Sequence, residues 1–279
     1  MIARTRPSAH PRRPDRPAPA AALRIGGSVT TAAATTVRTA AAVAGLGTIL
    51  GVWAHPDDEA YLSGGLMALA RDAGLRVVCV TATRGELGTS DPVSWPPSRL
   101  ATERTAELAH SLEILGVHEH RWLGYADGGC AEVDAGGAVD RLAAIIDEVG
   151  PRTVLSFGPD GQTGHPDHRA VSAWTTAAFD KAARPGARLL HTAVEEGWAR
   201  RWGPINDHLG VLFGTEPESV PAHRLAVDLR LRGDTLDRKV RALRAQATQT
   251  HGLVSVLGAG TYSEWVAAEA FVAVAVERA

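Results

Sequence analysis

The sequence predicts an α/β fold of the Rossmann-like kind, with a mostly parallel sheet, helices on both faces and a less regular C-terminal part. From residue 47 onward, short segments rich in β-branched residues alternate with longer segments of helical period. Strands that alternate with helices form βαβ units, whose strands are parallel. With 279 residues, 45% of them hydrophobic, the chain is long enough to bury a full core.

The first two thirds of the folded part contain five predicted strands and four predicted helices. The strands lie at 48–54, 75–83, 120–125, 152–157 and 189–195, and the helices at 59–74, 98–116, 139–149 and 166–183. Gly74 and Gly116 stand at the ends of the first two helices, where glycine commonly terminates a helix. Beyond residue 200 we expect a loop-rich stretch, a strand at 225–230, a helix at 233–249 and a final strand at 271–278.

The N-terminal segment has a different composition from the rest. Residues 1–44 contain seven arginines, one acidic residue, Asp15, and almost no large apolar side chains. Such a segment cannot offset its ordering entropy by burial. We therefore predict a disordered Arg/Pro/Ala/Thr-rich extension over 1–44 and a single folded domain over 45–279.

Composition argues against several classes of function. Outside the extension the chain has a net charge of −8, so it offers no clustered basic surface for nucleic acid. No uninterrupted apolar stretch reaches about 18 residues, which argues against a transmembrane segment, and no apolar core follows the first arginines as in a secretory signal. Cys79 and Cys130 are too few for a disulfide framework and favour reduced thiols in a cytoplasmic protein.

Two clusters of charged and imidazole side chains follow predicted strands. The sequence AHPDDE supplies His55, Asp57 and Asp58 after the first strand, and GHPDH supplies His165 and His168 after the fourth. Ligands of open parallel sheets bind outside the carboxyl ends of the strands. His55, Asp58 and His168 would form a set of two histidines and one carboxylate with open positions, which suits Zn²⁺ and also Fe²⁺.

Simpler explanations exist for each cluster alone. Asp57 or Asp58 could cap the following helix, and solvated turns often carry such residues. Two clusters with the same His-Pro-Asp core, each placed after a strand, favour one metal site. A non-haem iron oxygenase uses the same ligand set, so that class stays open at this point.

Five ordered motifs resemble the PIG-L/LmbE-like family of zinc-dependent N-acetylglucosaminyl de-N-acetylases. They are AHPDDE, TRGELGT, ERTAEL, GYADGG and GHPDH, and they span about residues 47–170. The resemblance implies a hydrolase that removes an acetyl or other small acyl group from an N-acetylglucosamine-type conjugate, a small-molecule partner. It also implies one Zn²⁺ bound by His55, Asp58 and His168.

The same resemblance implies roles for four further residues. Asp57 is implied as the general base that takes a proton from the attacking water. His165 is implied beside the developing oxyanion, which it would stabilise if cationic. Arg104 and Asp127 match positions that bind substrate hydroxyls.

The chain departs from the family at two positions. Thr163 stands where one family enzyme of the mycothiol pathway has a tyrosine, and Gln246 replaces a histidine in the late motif KVRALRAQATQ. Both changes argue against identity with that particular enzyme but leave the implied metal ligands and base in place. Two alternatives to the deacetylase also stay open: amide hydrolysis of the type catalysed by mycothiol S-conjugate amidase, and a non-catalytic sugar-binding protein.

Overall fold

A seven-stranded sheet forms the centre of the protein, whose computed structural model describes residues 36–213 and 217–275. The strands of this sheet are β1 (Ile49–Trp53), β2 (Val77–Thr81), β3 (Glu119–Trp122), β4 (Thr153–Ser156), β5 (Arg188–Thr192), β8 (Val227–Arg230) and β9 (Ala268–Ala273). Their spatial order is β3-β2-β1-β4-β5-β9-β8. The first five strands are parallel and β9 is antiparallel to both of its neighbours. The predicted α/β fold with a mostly parallel sheet is confirmed.

Helices cover the sheet, and a small second sheet lies outside it. The helices are α1 (Ala40–Val43), α2 (Asp58–Asp72), α3 (Pro97–Leu115), α4 (Ala135–Val149), α5 (Pro166–Ala182), α6 (Glu196–Leu209), α7 (Gly233–Ala245), α8 (Ala247–Leu257) and α9 (Ala259–Trp265). The second sheet pairs β6 (Val194–Glu195) with β7 (Ser219–Val220). Every residue of β1, β2 and β4 is buried, as expected of strands covered on both faces.

The strand order places a topological switch between β1 and β4. After β1 the chain continues through α2 to β2 on one side, and after β4 it continues through α5 to β5 on the other. The two connections separate at this point and leave a crevice beyond the carboxyl ends of the strands. Both His-Pro-Asp turns follow these two strands, so the fold brings them together.

Three segments differ from the sequence-based expectation. Residues 36–44 were assigned to the disordered extension, yet Val37 pairs with Val227, and Val43 is fully buried. These two apolar side chains find partners on the domain, so the ordered part begins before residue 45. Residues 1–35 lie outside the described residues, and their predicted disorder stays a prediction.

The C-terminal part is also more regular than expected. Helix α6 occupies much of the stretch beyond residue 200 that we predicted to be loop, because Trp202 packs into a buried cluster with Leu243 and Tyr262. The predicted strand at 189–195 is divided between β5 and β6, which belong to different sheets. Cys79 and Cys130 are both buried and free. Within the described ranges, no helix is both long and apolar enough to cross a membrane.

Candidate metal and catalytic site

The turn from β1 into α2 holds the first group of site residues. His55 and Asp58 are buried, and the backbone N–H of His55 donates a hydrogen bond of 2.8 Å to Asp58 Oδ2. Asp57 has a φ of 103°, a left-handed conformation that non-glycine residues seldom adopt. Its N–H donates to Glu59 Oε2 at 2.9 Å. This bond helps to hold the turn in a strained conformation.

Glu59 is in turn fixed by a distant part of the chain. Gln246 donates from Nε2 to Glu59 Oε1 at 2.7 Å, and Ser111 Oγ lies 3.3 Å from the same oxygen. Glu59 is fully buried, and burial raises its pKa to about 8. The side chain thus links the turn that carries Asp57 to α3 and to the junction of α7 and α8.

The turn from β4 into α5 holds the second group. His165 is the N-cap of α5, and its Nδ1 accepts a hydrogen bond from the Asp167 N–H at 3.2 Å. Pro166 occupies the first helical position, where its missing N–H costs no helix bond. Asp167 and His168 are buried in the first turn of the helix.

Three predicted ligands converge from the two turns. His55 Nδ1 lies 3.2 Å from His168 Nε2 and 3.6 Å from Asp58 Oδ2, and His168 Nε2 lies 3.4 Å from Asp58 Oδ1. Tetrahedral ligands that lie about 2.0–2.1 Å from a zinc ion are roughly 3.3 Å from one another. The spacing of the three side chains therefore fits a single divalent ion.

The hydrogen bonds of His55 and His168 indicate which nitrogen of each ring carries a proton and which one faces the proposed ion position. His168 donates from Nδ1 to the Gly161 carbonyl at 2.9 Å, which leaves its Nε2 as the acceptor nitrogen. His55 Nε2 lies 3.1 Å from Asp127 Oδ1 and 3.2 Å from Asp167 Oδ2, so this nitrogen carries a proton. Only a cation, either a proton or a metal ion, can stand favourably between the two facing nitrogens.

The pKa values of the two rings agree with a cation at this position. Burial lowers the pKa of His168 to about 4, so its ring is neutral and able to act as a ligand. Burial also lowers the pKa of His55, but the hydrogen bonds with Asp127 and Asp167 and the charge of Asp58 outweigh it and raise the pKa to about 10. A metal ion would displace the extra proton of His55 on binding.

Asp57 lies beside this group and lines the same cavity. Burial raises its pKa, the positive charge of Arg104 lowers it and the negative charge of Asp58 raises it, with a result of about 7. Its Oδ1 lies 3.6 Å from Arg104 Nη2. A carboxylate whose pKa is close to 7 is well suited to accept and return a proton at neutral pH.

His165 lies against the rings of both histidines that are predicted to bind metal. Its ring centroid is 4.9 Å from that of His55 and 5.1 Å from that of His168. Burial and the positive charge of His55 hold the pKa of His165 below its usual range. These surroundings favour the neutral ring over the cationic form that the family resemblance allows. Its Nδ1 is an acceptor, so Nε2 carries the proton and is the donor available to a ligand.

Arg104 and Asp127 line the cavity but already bind other parts of the protein. Arg104 is buried and donates to the carbonyls of Gly85 and Pro56. Asp127 accepts the Leu87 N–H on Oδ2 at 2.8 Å and contacts His55 with Oδ1. The role of both side chains in binding substrate hydroxyls stays a prediction. Their contacts also hold the turn after β1, through Pro56, and the loop after β2, through Gly85 and Leu87.

Sequence reasoning missed two residues of the site. Asp167 lies inside the quoted GHPDH motif, and its contact with His55 required the two turns to be placed in space. Glu59 also stands in a quoted motif, AHPDDE, but its partner Gln246 is 187 residues away. The acidic character of both residues was visible in the sequence, while their partners were not.

The site opens into a cavity of about 610 Å³. One part is lined by polar site residues, including Asp57, Arg104 and Asp127. The other part is mostly apolar and is formed by the C-terminal third of the chain. Its main residues are Trp198, Val211, Phe213, Leu253 and Trp265, which we call the apolar wall.

The chain is similar in sequence to known de-N-acetylases. The family described as PIG-L: GlcNAc-PI de-N-acetylase matches residues 50–179. Over 247 residues the chain is 40% identical to a 1D-myo-inositol 2-acetamido-2-deoxy-alpha-D-glucopyranoside deacetylase of Kineococcus radiotolerans, covering 72% of this chain and 68% of that protein.

Solved structures with low sequence identity show the same fold. Teicoplanin deacetylase Orf2, in a zinc-inhibited form, has a TM-score of 0.61 at 16% identity, with 83% of this chain and 100% of that chain covered. GalB, a 4-carboxy-2-hydroxymuconate hydratase of Pseudomonas putida KT2440, has a TM-score of 0.56 at 18% identity, with 84% and 98% covered. A hydratase and a deacetylase share this fold, so the fold alone does not determine the reaction.

Proposed function

Because the chain belongs to the PIG-L family of de-N-acetylases, we propose that it is a metal-dependent hydrolase that removes the acetyl group from an N-acetylglucosamine conjugate. The convergence of His55, Asp58 and His168 beside Asp57 is the observation that carries the proposal. The similarity to enzymes named as deacetylases supports the same reaction.

The three converging side chains would hold one divalent ion, which we propose is zinc. When bound, such an ion polarises the amide carbonyl and lowers the pKa of water. Asp57 accepts the proton of the attacking water and then returns it to the leaving amine nitrogen. The Nε2–H of His165 donates to the carbonyl oxygen as its negative charge develops. Asp167 orients His55, and Arg104 holds the loop of Asp57 through the Pro56 carbonyl.

Two alternatives remain distinct from this proposal and can be tested. An amidase would cleave an amide with a larger acyl group than acetyl, using the same ion and the same base. A non-catalytic sugar-binding protein would bind the conjugate without turnover, but Asp57, half-buried beside the proposed ligands, would then have no function. The buried free thiols of Cys79 and Cys130 support a reducing compartment such as the cytoplasm.

The decisive experiment measures acetate release from a panel of N-acetylglucosamine conjugates. The metal-free protein is loaded with one equivalent of Zn²⁺ or, anaerobically, Fe²⁺, and the metal content is determined for each preparation. We expect release only from loaded protein, and anaerobic turnover with zinc would exclude an oxygenase. Excess zinc is avoided because a structural neighbour, Orf2, has a zinc-inhibited form. Equal rates with and without metal would contradict the proposal.

A further inference from the structure

The apolar wall contains two tryptophans whose polar atoms are already bonded inside the protein. Trp198 donates from Nε1 to the Trp265 carbonyl at 3.2 Å, and Trp265 donates from Nε1 to Asn206 Oδ1 at 3.0 Å. Both indole N–H groups are therefore used within the protein. What the two rings offer to the cavity is apolar surface.

Two acidic side chains that border the wall, Glu195 and Glu269, also bind other parts of the protein. The carboxylate of Glu195 accepts the N–H groups of Gly197 and Trp198 at 2.8 and 2.9 Å and caps α6. The carboxylate of Glu269 accepts the N–H groups of Gly65 and Leu66, both at 2.7 Å. Both carboxylates therefore already accept hydrogen bonds from backbone N–H groups of the protein.

Glu269 also forms a buried ion pair on its other side. Lys239 Nζ donates to Glu269 Oε1 at 2.7 Å, and both side chains are completely buried. Oε1 of Glu269 thus accepts both the Gly65 N–H and the Lys239 ammonium, so a ligand hydroxyl could bind this oxygen only by competing with them. Breaking a buried pair leaves an uncompensated charge and is strongly unfavourable.

The wall is continuous with the proposed catalytic residues. The ring of Phe213 lies edge-on to that of His165, with centroids 4.7 Å apart. Leu253 on α8 lines the same cavity as His55 and Asp57. A substrate whose amide lies at His165 would therefore place one of its substituents against Phe213 and the wall behind it.

We propose that the substrate of this enzyme carries an alkyl or aryl group that binds against the apolar wall. This inference rests on the proposed amide hydrolysis and specifies its substrate class. Against the five side chains of the wall, a polyhydroxylated substituent such as inositol would lose its bound water without gaining equivalent hydrogen bonds, which is costly. An apolar group gains free energy from leaving water, and one methylene in such a pocket commonly changes specificity about tenfold or more.

The apolar group could belong to the aglycone or to the acyl side of the amide. Four probes distinguish these sources: N-acetylglucosamine, its phenyl glycoside, its inositol glycoside and N-hexanoylglucosamine. Dissociation constants are measured by calorimetry on the zinc-loaded Asp57→Asn protein, which removes the proposed base while keeping the cavity. The binding result then does not depend on whether the wild-type protein hydrolyses any of the probes.

We expect the phenyl glycoside or N-hexanoylglucosamine to bind at least about tenfold more tightly than the inositol glycoside. The tighter of the two identifies the side of the amide that bears the apolar group. Equal or tighter binding of the inositol glycoside would overturn the inference. Absence of acetate release by the wild-type protein would instead contradict the proposed function, so the two failures are distinguishable.

A matched pair of variants on α8 tests the location of the subsite. Leu253→Gln places a polar group in the wall and should weaken binding of the preferred apolar probe about tenfold, with no change for N-acetylglucosamine. Val256→Gln makes the same kind of change on the same helix at a side chain that is 65% exposed and outside the cavity lining. Equal effects of the two variants would overturn the assignment of the wall.

Discussion

The two His-Pro-Asp turns have the same core sequence but different geometry. In the first turn His55 directs a nitrogen to the proposed metal position, and Asp57 lies in the cavity with a φ of 103°. In the second turn the corresponding His165, whose own φ is −59°, is the N-cap of α5. Asp167 contacts His55 across the crevice. The same short motif thus supplies the proposed base, Asp57, in one backbone conformation, and in another it supplies Asp167, which supports His55.

The sharpest test of this difference compares histidines within and outside the proposed ligand set. His168→Ala should abolish metal binding and reduce activity to that of chelated protein, because one of three ligands is lost. His165→Ala should keep the metal and lower kcat by about 100-fold, as for removal of an oxyanion donor. Metal content by mass spectrometry and acetate release are measured on both. Metal loss from His165→Ala with retention in His168→Ala would reverse the assignment.

The two aspartates of the turns should differ in the same way. Asp57→Asn removes the proposed base and should lower kcat about 10²- to 10⁴-fold with unchanged metal content. Steady-state kinetics on protein of measured zinc content provide the test. Full activity of Asp57→Asn would show that another group accepts the proton.

Asp167→Asn should mainly weaken the metal site. The change removes a charge that orients His55, so we expect a loss of metal affinity of about 10- to 100-fold. Competition with a chelator measures the affinity, and activity should recover when zinc is restored to saturation. A large kcat defect at full zinc occupancy would instead give Asp167 a direct role in the reaction.

The smallest expected effect concerns the bond that holds the strained first turn. Glu59→Ala removes the acceptor of the Asp57 N–H, and backbone strain of this kind is about 1–3 kcal/mol, so kcat should fall about tenfold while KM changes little. Glu59→Gln keeps an acceptor and should recover part of the rate.

Glu107→Ala is the matched control for Glu59→Ala. Glu107, on α3, is buried like Glu59 and accepts the Thr248 N–H at 2.8 Å. It makes no hydrogen bond to the Asp57 backbone. Equal kcat losses in Glu59→Ala and Glu107→Ala would point to a general effect of losing a buried carboxylate near Asp57 rather than to the bond with its N–H.

Much of the fold and part of the site could be predicted from the sequence. The five parallel strands and the helices between them were visible because apolar period and β-branched content act over a few neighbouring residues. The strand at 225–230 and the helix beginning at 233 were also predicted, whereas α6 was missed because it is stabilised by contacts of Trp202 with the distant residues Leu243 and Tyr262. Packing of this kind overrides local signals such as Gly203 and Pro204.

The sequence by itself determined the chemistry available at the ends of β1 and β4: imidazole and carboxylate groups after two buried strands. Only the tertiary structure decided which nitrogen of each histidine faces the proposed ion, which aspartate is strained and which one supports His55. It also decided that Glu59 meets Gln246 and that the C-terminal third supplies an apolar wall. Residue type and spacing are local properties, whereas these contacts depend on how the sheet and its helices pack in space.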